Sequence, residues 1–164
     1  MADIHDLMEK LVLAEIQGKN QAIHAYEDIV WKIRGGFLTL LFGGWSILLT
    51  GLSQAKEGVA VDYQPLAWGL FLFSVGLAFG ARYLDRSYIR RKFRVITALN
   101  RLIDEARLSA GDYQKLTPEL LQVAGDNPTI PYDVAGYREA LRADLSVYLA
   151  PLAVLGIVIM LVLR

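Results

Sequence analysis

The stretch Gly35–Ala55, GGFLTLLFGGWSILLTGLSQA, lies between Arg34 and Lys56 and carries no charge. About 20 apolar residues, each rising about 1.5 Å along a helix, cover the roughly 30 Å of a bilayer's hydrocarbon, so this run predicts a membrane-crossing helix. Its small and weakly polar residues, Gly36, Thr39, Gly43, Ser46, Thr50 and Ser53, recur at steps of three and four. That spacing draws one stripe down the helix, while Phe37, Leu41, Trp45, Leu48 and other large residues cover the remainder. A seam of this kind serves close helix contact, because small side chains let two backbones approach. The hydroxyls of Thr39, Ser46 and Thr50 keep a second reading open, in which the seam lines a pore or a wet cavity.

Two more uncharged runs follow. Tyr63–Ala81 sits between Asp62 and Arg82, with Gly69, Gly76 and Gly80 on one face and a GxxxG step between the last two. Beside the seam of the first run, these glycines predict a tight transmembrane hairpin. Leu145–Leu163 is rich in Leu, Ile and Val, with Pro151 as a kink and only Ala153 and Gly156 small near its middle. It reads as a lipid-facing helix. The fold class expected is therefore all-α and integral to a membrane, with three transmembrane helices and a cytosolic helical layer.

The flanks supply that layer. Residues 1–34 form an amphipathic helix with Ile4, Leu7, Met8, Leu11 and Val12 on one face and Asp6, Glu9, Lys10 and Glu15 on others. Glu15 is expected to be exposed and tolerant of alanine. Residues 35–81 make the hairpin (35–55 and 63–81). Residues 82–144 hold a basic helix reaching about Leu108, an irregular part that contains a helix start at Thr117-Pro118-Glu119 and a stop at Gly125, and a final helix capped by Asp133. That helix runs into the third span, residues 145–164. Ile23, Tyr26, Val30 and Ile33 are expected to pack against Phe93, Ile96 and Ile103 as an antiparallel stem.

Charge gives the orientation. Arg34, Arg82, Arg86, Arg90, Arg91, Lys92 and Arg94 crowd one side of the hairpin, against Lys56 in its other loop. Basic residues favour the cytoplasmic side, so the N-terminus reads as cytoplasmic and the C-terminus as external. MADIHDLMEK has no basic segment before an apolar core, so the first run reads as a retained anchor.

Little in the chain resembles a catalyst. The 164 residues contain no cysteine and two histidines, which excludes thiolate nucleophiles and cysteine zinc sites. His24, Glu27 and Asp28 can share a helix face, but exposed helical charge pairs are ordinary and no metal or other cofactor is expected. Phosphate-loop, zincin and nucleophile-elbow patterns are missing, so the chain reads as no enzyme. Zero formal net charge, with the two signs separated along the chain, argues against a nucleic-acid partner. Arg90, Arg91, Lys92 and Arg94 are candidates for contact with anionic lipid or another anionic ligand.

The order of these parts carries a resemblance. The helix AYEDIVWKIRGGF at residues 25–37, a short glycine-containing hairpin, and the basic helix YIRRKFRVITALNRLIDEA at residues 88–106 are similar to small bacterial two-span effectors of the SLATT type. The third span departs from that pattern. The resemblance implies a membrane-perturbing or pore-forming module of anti-phage defence, set in the bacterial inner membrane and triggered by a separate sensor. Two functions follow as expectations. One is a homo-oligomeric pore or membrane-perturbing effector controlled by its cytosolic helices. The other is a non-conducting scaffold or accessory subunit that recruits a cytosolic protein partner. A pore needs several first-span seams turned towards a common axis, whereas a scaffold needs them buried against its own second span.

Overall fold

The computed structural model describes residues 2–54, 64–109, 115–121 and 129–162. Three long helices account for nearly all of them: α1 Ala2–Gln54, α2 Gln64–Leu108 and α3 Val134–Val162. A short 3-10 turn, Pro118–Leu121, lies between α2 and α3. Each long helix is long and apolar enough to cross a membrane, by length and composition.

The helices form where periodicity and capping agree. α1 passes through Gly18 without a break, although glycine costs about 1 kcal/mol relative to alanine in a helix interior. An inward stripe compensates along its whole length: Val12, Glu15, Lys19, Val30, Phe37, Leu41, Trp45 and Leu48 are all buried and fall in helical phase. α2 ends at Leu108, where the Ser109 amide still closes a last turn onto Glu105 at 2.9 Å. Asp133 caps α3, its carboxylate oxygens accepting from the amides of Ala135 at 2.9 Å and Gly136 at 3.2 Å. Pro151 is accommodated inside α3, which continues to Val162.

These elements divide into two compact units, Met1–Val30 with Ser87–Ala140, and Trp31–Arg86 with Leu141–Arg164. The core of the first is Val12, Ala98, Leu102, Leu116, Leu120 and Ile130. Val12 of α1 shares that core with Ala98 and Leu102 of α2, and Tyr26 lies against Tyr88, so the two helices pack together as the stem requires. The correction concerns which α2 residues are most buried. In this unit's part of α2, Val95, Ala98 and Leu102 are fully buried, whereas Phe93, Ile96 and Ile103 are half-buried. The reason is that Leu116, Leu120 and Ile130, from the segment that reads as irregular, join Val12 over this part of α2 and turn Ala98 and Leu102 into its centre. The helix expected from Thr117 to Gly125 shows as the 3-10 turn, with residues 122–128 outside the described part. The Thr117 amide and hydroxyl both donate to the Glu105 carboxylate, at 2.9 and 3.0 Å, anchoring that turn to α2.

A second correction concerns Glu15. It is 4% exposed and pairs with Lys19, itself 1% exposed, at 2.8 Å. The position is in phase with Val12, so tertiary burial overrides the usual solvent preference of a helical carboxylate, and the i,i+4 partner makes that burial tolerable.

The core of the second unit contains Phe37, Leu41, Trp45 and Leu48 of α1, Ala67 and Ala78 of α2, and Tyr148, Leu152, Leu155 and Ile159 of α3. α3 is thus not a helix turned to its surroundings on all sides. One face is core, Gly156 lies beside Phe71, and Val154, Ile157 and Met160 form the exposed face.

Candidate functional site

In the second unit, the uncharged stretches meet their flanking charges in one place. Arg34 follows the inward stripe of α1 just before the first stretch. Asp85 lies in phase with Ala78 and Ile89 on α2, just after the second. Asp144 precedes Tyr148 by one turn on α3, just before the third. The Arg34 guanidinium joins all three helices: Nε donates to Asp85 Oδ2 at 3.1 Å, and Nη2 donates to Asp144 Oδ1. Tyr148 completes the cluster, its hydroxyl donating to Asp85 Oδ2 at 3.1 Å. Its ring packs on Phe37 with centroids 5.1 Å apart, so the cluster is seated directly on the apolar core.

Burial of these charges is deep. Asp85 is 0% and Asp144 2% exposed. Asp85 Oδ1, Asp144 Oδ2 and the nearby Arg82 Nε are buried atoms with no hydrogen-bond partner in the protein. Burial pushes the Asp85 carboxyl above the usual carboxylate range, opposed by the Arg34 guanidinium. Burial, then the neighbouring Asp85 carboxylate, push Asp144 up to about 6, opposed by Arg34 and Arg82. Sequence reading missed this cluster because each of its charged members stands outside an uncharged run and is one charge among many, while Tyr148 reads as one more residue of the third run. The available signal was phase: Asp85 and Asp144 occupy inward positions of helices whose neighbouring inward positions are apolar.

The first-stretch seam is placed on the opposite side from the core. Gly36, Thr39, Gly43, Ser46 and Thr50 are all exposed, while Phe37, Leu41, Trp45 and Leu48 are buried. A methyl group added at Gly36 or Gly43 meets nothing within 4 Å. The Thr50 hydroxyl donates to the Ser46 carbonyl at 2.8 Å, a bond within its own helix. Ser53's side chain, the loop 56–62 and Arg164 lie outside the described residues.

Gly69, Gly76 and Gly80 are also exposed, and a methyl group at any of them meets nothing within 4 Å. α1 and α2 are joined instead through Ala67, Ser74 and Ala78. Trp45 Nε1 donates to Ser74 Oγ at 3.2 Å, and Ser74 Oγ donates to the Leu70 carbonyl at 2.8 Å. Gly36, Gly76 and Gly80 open together onto an apolar groove of about 660 Å³ between α1 and α2, with Leu40, Leu77 and Leu84 along it and Lys32 at its rim. The first seam thus meets the second helix's glycines only at this groove, through Gly36, Gly76 and Gly80.

The basic run belongs to the first unit and is engaged there. Arg90 lies over the Tyr137 ring at 6.0 Å, Arg91 over Tyr88 at 5.6 Å, and Lys92 pairs with Glu27 at 3.2 Å. Arg94 is half-buried. Among the described residues, no three Asp, Glu or His side chains come together to hold a metal ion. Compared with family models, curated proteins and solved structures, the chain matches none of them.

Proposed function

We propose that the protein is an integral membrane protein that assembles with copies of itself through the seam of its first span, and that the assembly forms a pore or perturbs the bilayer under control of the cytosolic helices. The observation that carries this reading is the outward seam. Gly36, Thr39, Gly43 and Ser46 are exposed and absent from the core, which is built from the face of α1 that carries Phe37, Leu41, Trp45 and Leu48. A scaffold reading needs the seam buried in its own hairpin. A row of small residues left open on a helix matches the way membrane helices approach one another, and the groove at Gly36, Gly76 and Gly80 offers a neighbouring helix a close fit. Thr39, Ser46 and Thr50 would then lie at or beside the axis of the assembly, where hydroxyls tolerate water.

The orientation has the N-terminus and the basic helix in the cytoplasm of a bacterium, facing anionic lipid of the inner membrane, and the C-terminus outside. Ion flux into liposomes tests the function. Wild type should assemble and conduct, Ser46→Asp should retain assembly with altered ion selectivity, and Thr50→Leu should reduce flux with assembly intact. A monomeric wild type with no flux would overturn it and favour the non-conducting scaffold.

A further inference from the structure

The Arg34 cluster contains two carboxylates on one guanidinium, and each carboxylate keeps one buried oxygen with no hydrogen-bond partner. In a water-poor site, such an oxygen is costly when charged and is a ready place for a proton. We propose that Asp144 and Asp85, together with Arg34, form a proton-binding site, and that uptake of one proton on Asp144 weakens the tie of α3 to α1 while leaving α2 tied. The inference stands apart from assembly and conduction, since every group belongs to one chain.

The charged and titratable groups around Asp144 come from all three helices. They are Arg34 on α1, Arg82 and Asp85 on α2, and Tyr148 on α3, whose hydroxyl is already committed to Asp85. Two guanidiniums face two carboxylates, so the cluster is balanced when both acids are ionised. A proton from solvent can be placed on Asp144 Oδ2 without breaking an existing hydrogen bond, because Arg34 Nη2 uses Oδ1. The proton removes the negative charge at the Asp144 end, so the ion-pair attraction to Arg34 is lost and only a hydrogen bond from the guanidinium to a neutral acid remains. Asp85 keeps its 3.1 Å bonds from Arg34 and Tyr148. Asp144 is the better proton acceptor of the pair, as it lacks the second donor that Tyr148 gives Asp85, and its carboxyl is pushed up to about 6.

Infrared titration of the full-length chain in detergent tests this by following the C=O band of protonated carboxyl groups from about pH 7.5 to about pH 5. That range is above the midpoints of exposed carboxylates, which add a rising background but no midpoint of their own. Wild type should gain one protonated carboxyl with a midpoint near pH 6, and Asp144→Asn should lose that band. Asp85→Asn removes the repelling carboxylate and leaves Arg34 to Asp144, so its midpoint should move to lower pH. A merely structural carboxylate would not produce that shift. The proposal is overturned if the wild-type band is missing, if it survives in Asp144→Asn, or if Asp85→Asn moves the midpoint upwards. Should Asp144→Asn fail to fold, the direction of the Asp85→Asn shift decides alone.

Discussion

Glu15 and Lys19 in the first unit stand one turn apart on α1 and pair at 2.8 Å, nearly shielded from solvent. Asp85 and Asp144 in the second unit are equally hidden and Arg34 is partly so, but the partners of Arg34 lie 51 and 110 residues away on two other helices. The first arrangement exists as soon as one turn of helix forms, because i,i+4 side chains are neighbours by geometry. The second exists only when three helices have packed. A buried charge pair within a helix therefore makes an inward face affordable for polar residues, whereas a pair across helices specifies which helices meet and in what rotation. Breaking either kind strands a charge, and the cost scales with how many partners are left behind.

Arg34→Ala should have the largest effect. It leaves Asp85 and Asp144 facing each other without the guanidinium between them, and a loss of about 3–5 kcal/mol is expected for breaking a buried ionic group. Thermal unfolding in detergent measures it, and the loss should shrink as the pH falls, because protonation of the stranded acids relieves their repulsion. Glu15→Ala should cost less, about 1–3 kcal/mol. Lys19 has a long aliphatic stem with which to carry its ammonium towards water. Asp6→Ala is smaller still. Asp6 pairs with Lys10 at the same i,i+4 spacing and a similar distance, 2.7 Å, yet both are more than half exposed. A change within about 0.5 kcal/mol is expected, readable in the same melts. Equal effects at Glu15 and Asp6 would show that burial plays no part in the comparison.

The pH dependence of the second unit sharpens it further. The folded chain holds a proton on Asp144 up to about pH 6, above the ordinary carboxylate value of 3.8. The stability linked to that proton is fully present below the unfolded value and is lost as the pH rises through about 6. Wild type should therefore gain melting temperature relative to Asp144→Asn between about pH 7 and about pH 5. A constant difference across that range would contradict the assignment.

How much of this was legible depended on the range of the signal. The three uncharged runs, the cap at Asp133 and the continuity of the helices were readable because each rests on neighbours within a turn or two. The interior of the first unit was not, since Leu116, Leu120 and Ile130 carry no periodic pattern and declare their role only by packing. The seam at Gly36, Thr39, Gly43, Ser46 and Thr50 was visible as a stripe, but periodicity gives a face and not the direction in which it turns. The glycines at 69, 76 and 80 show the same limit, for Ala67, Ser74 and Ala78 make the packing contacts instead. The Arg34 cluster depends on the mutual rotation of three helices, and no local pattern encodes it.

The central claim, that the seam of the first span is a contact between copies, is tested most directly by cross-linking. The chain has no cysteine, so among copies of the protein a single introduced thiol can form a disulfide only with its counterpart, which the mass of the product separates from mixed disulfides with other proteins. Ser46→Cys, oxidised in native membranes, should run as a disulfide-linked dimer, and Thr39→Cys and Gly43→Cys should follow it. Phe79→Cys, on an exposed position of α2 away from the groove, should stay monomeric under the same treatment. Efficient cross-linking at Phe79→Cys with none at residues 39, 43 and 46 would contradict the account and remove the seam from any assembly.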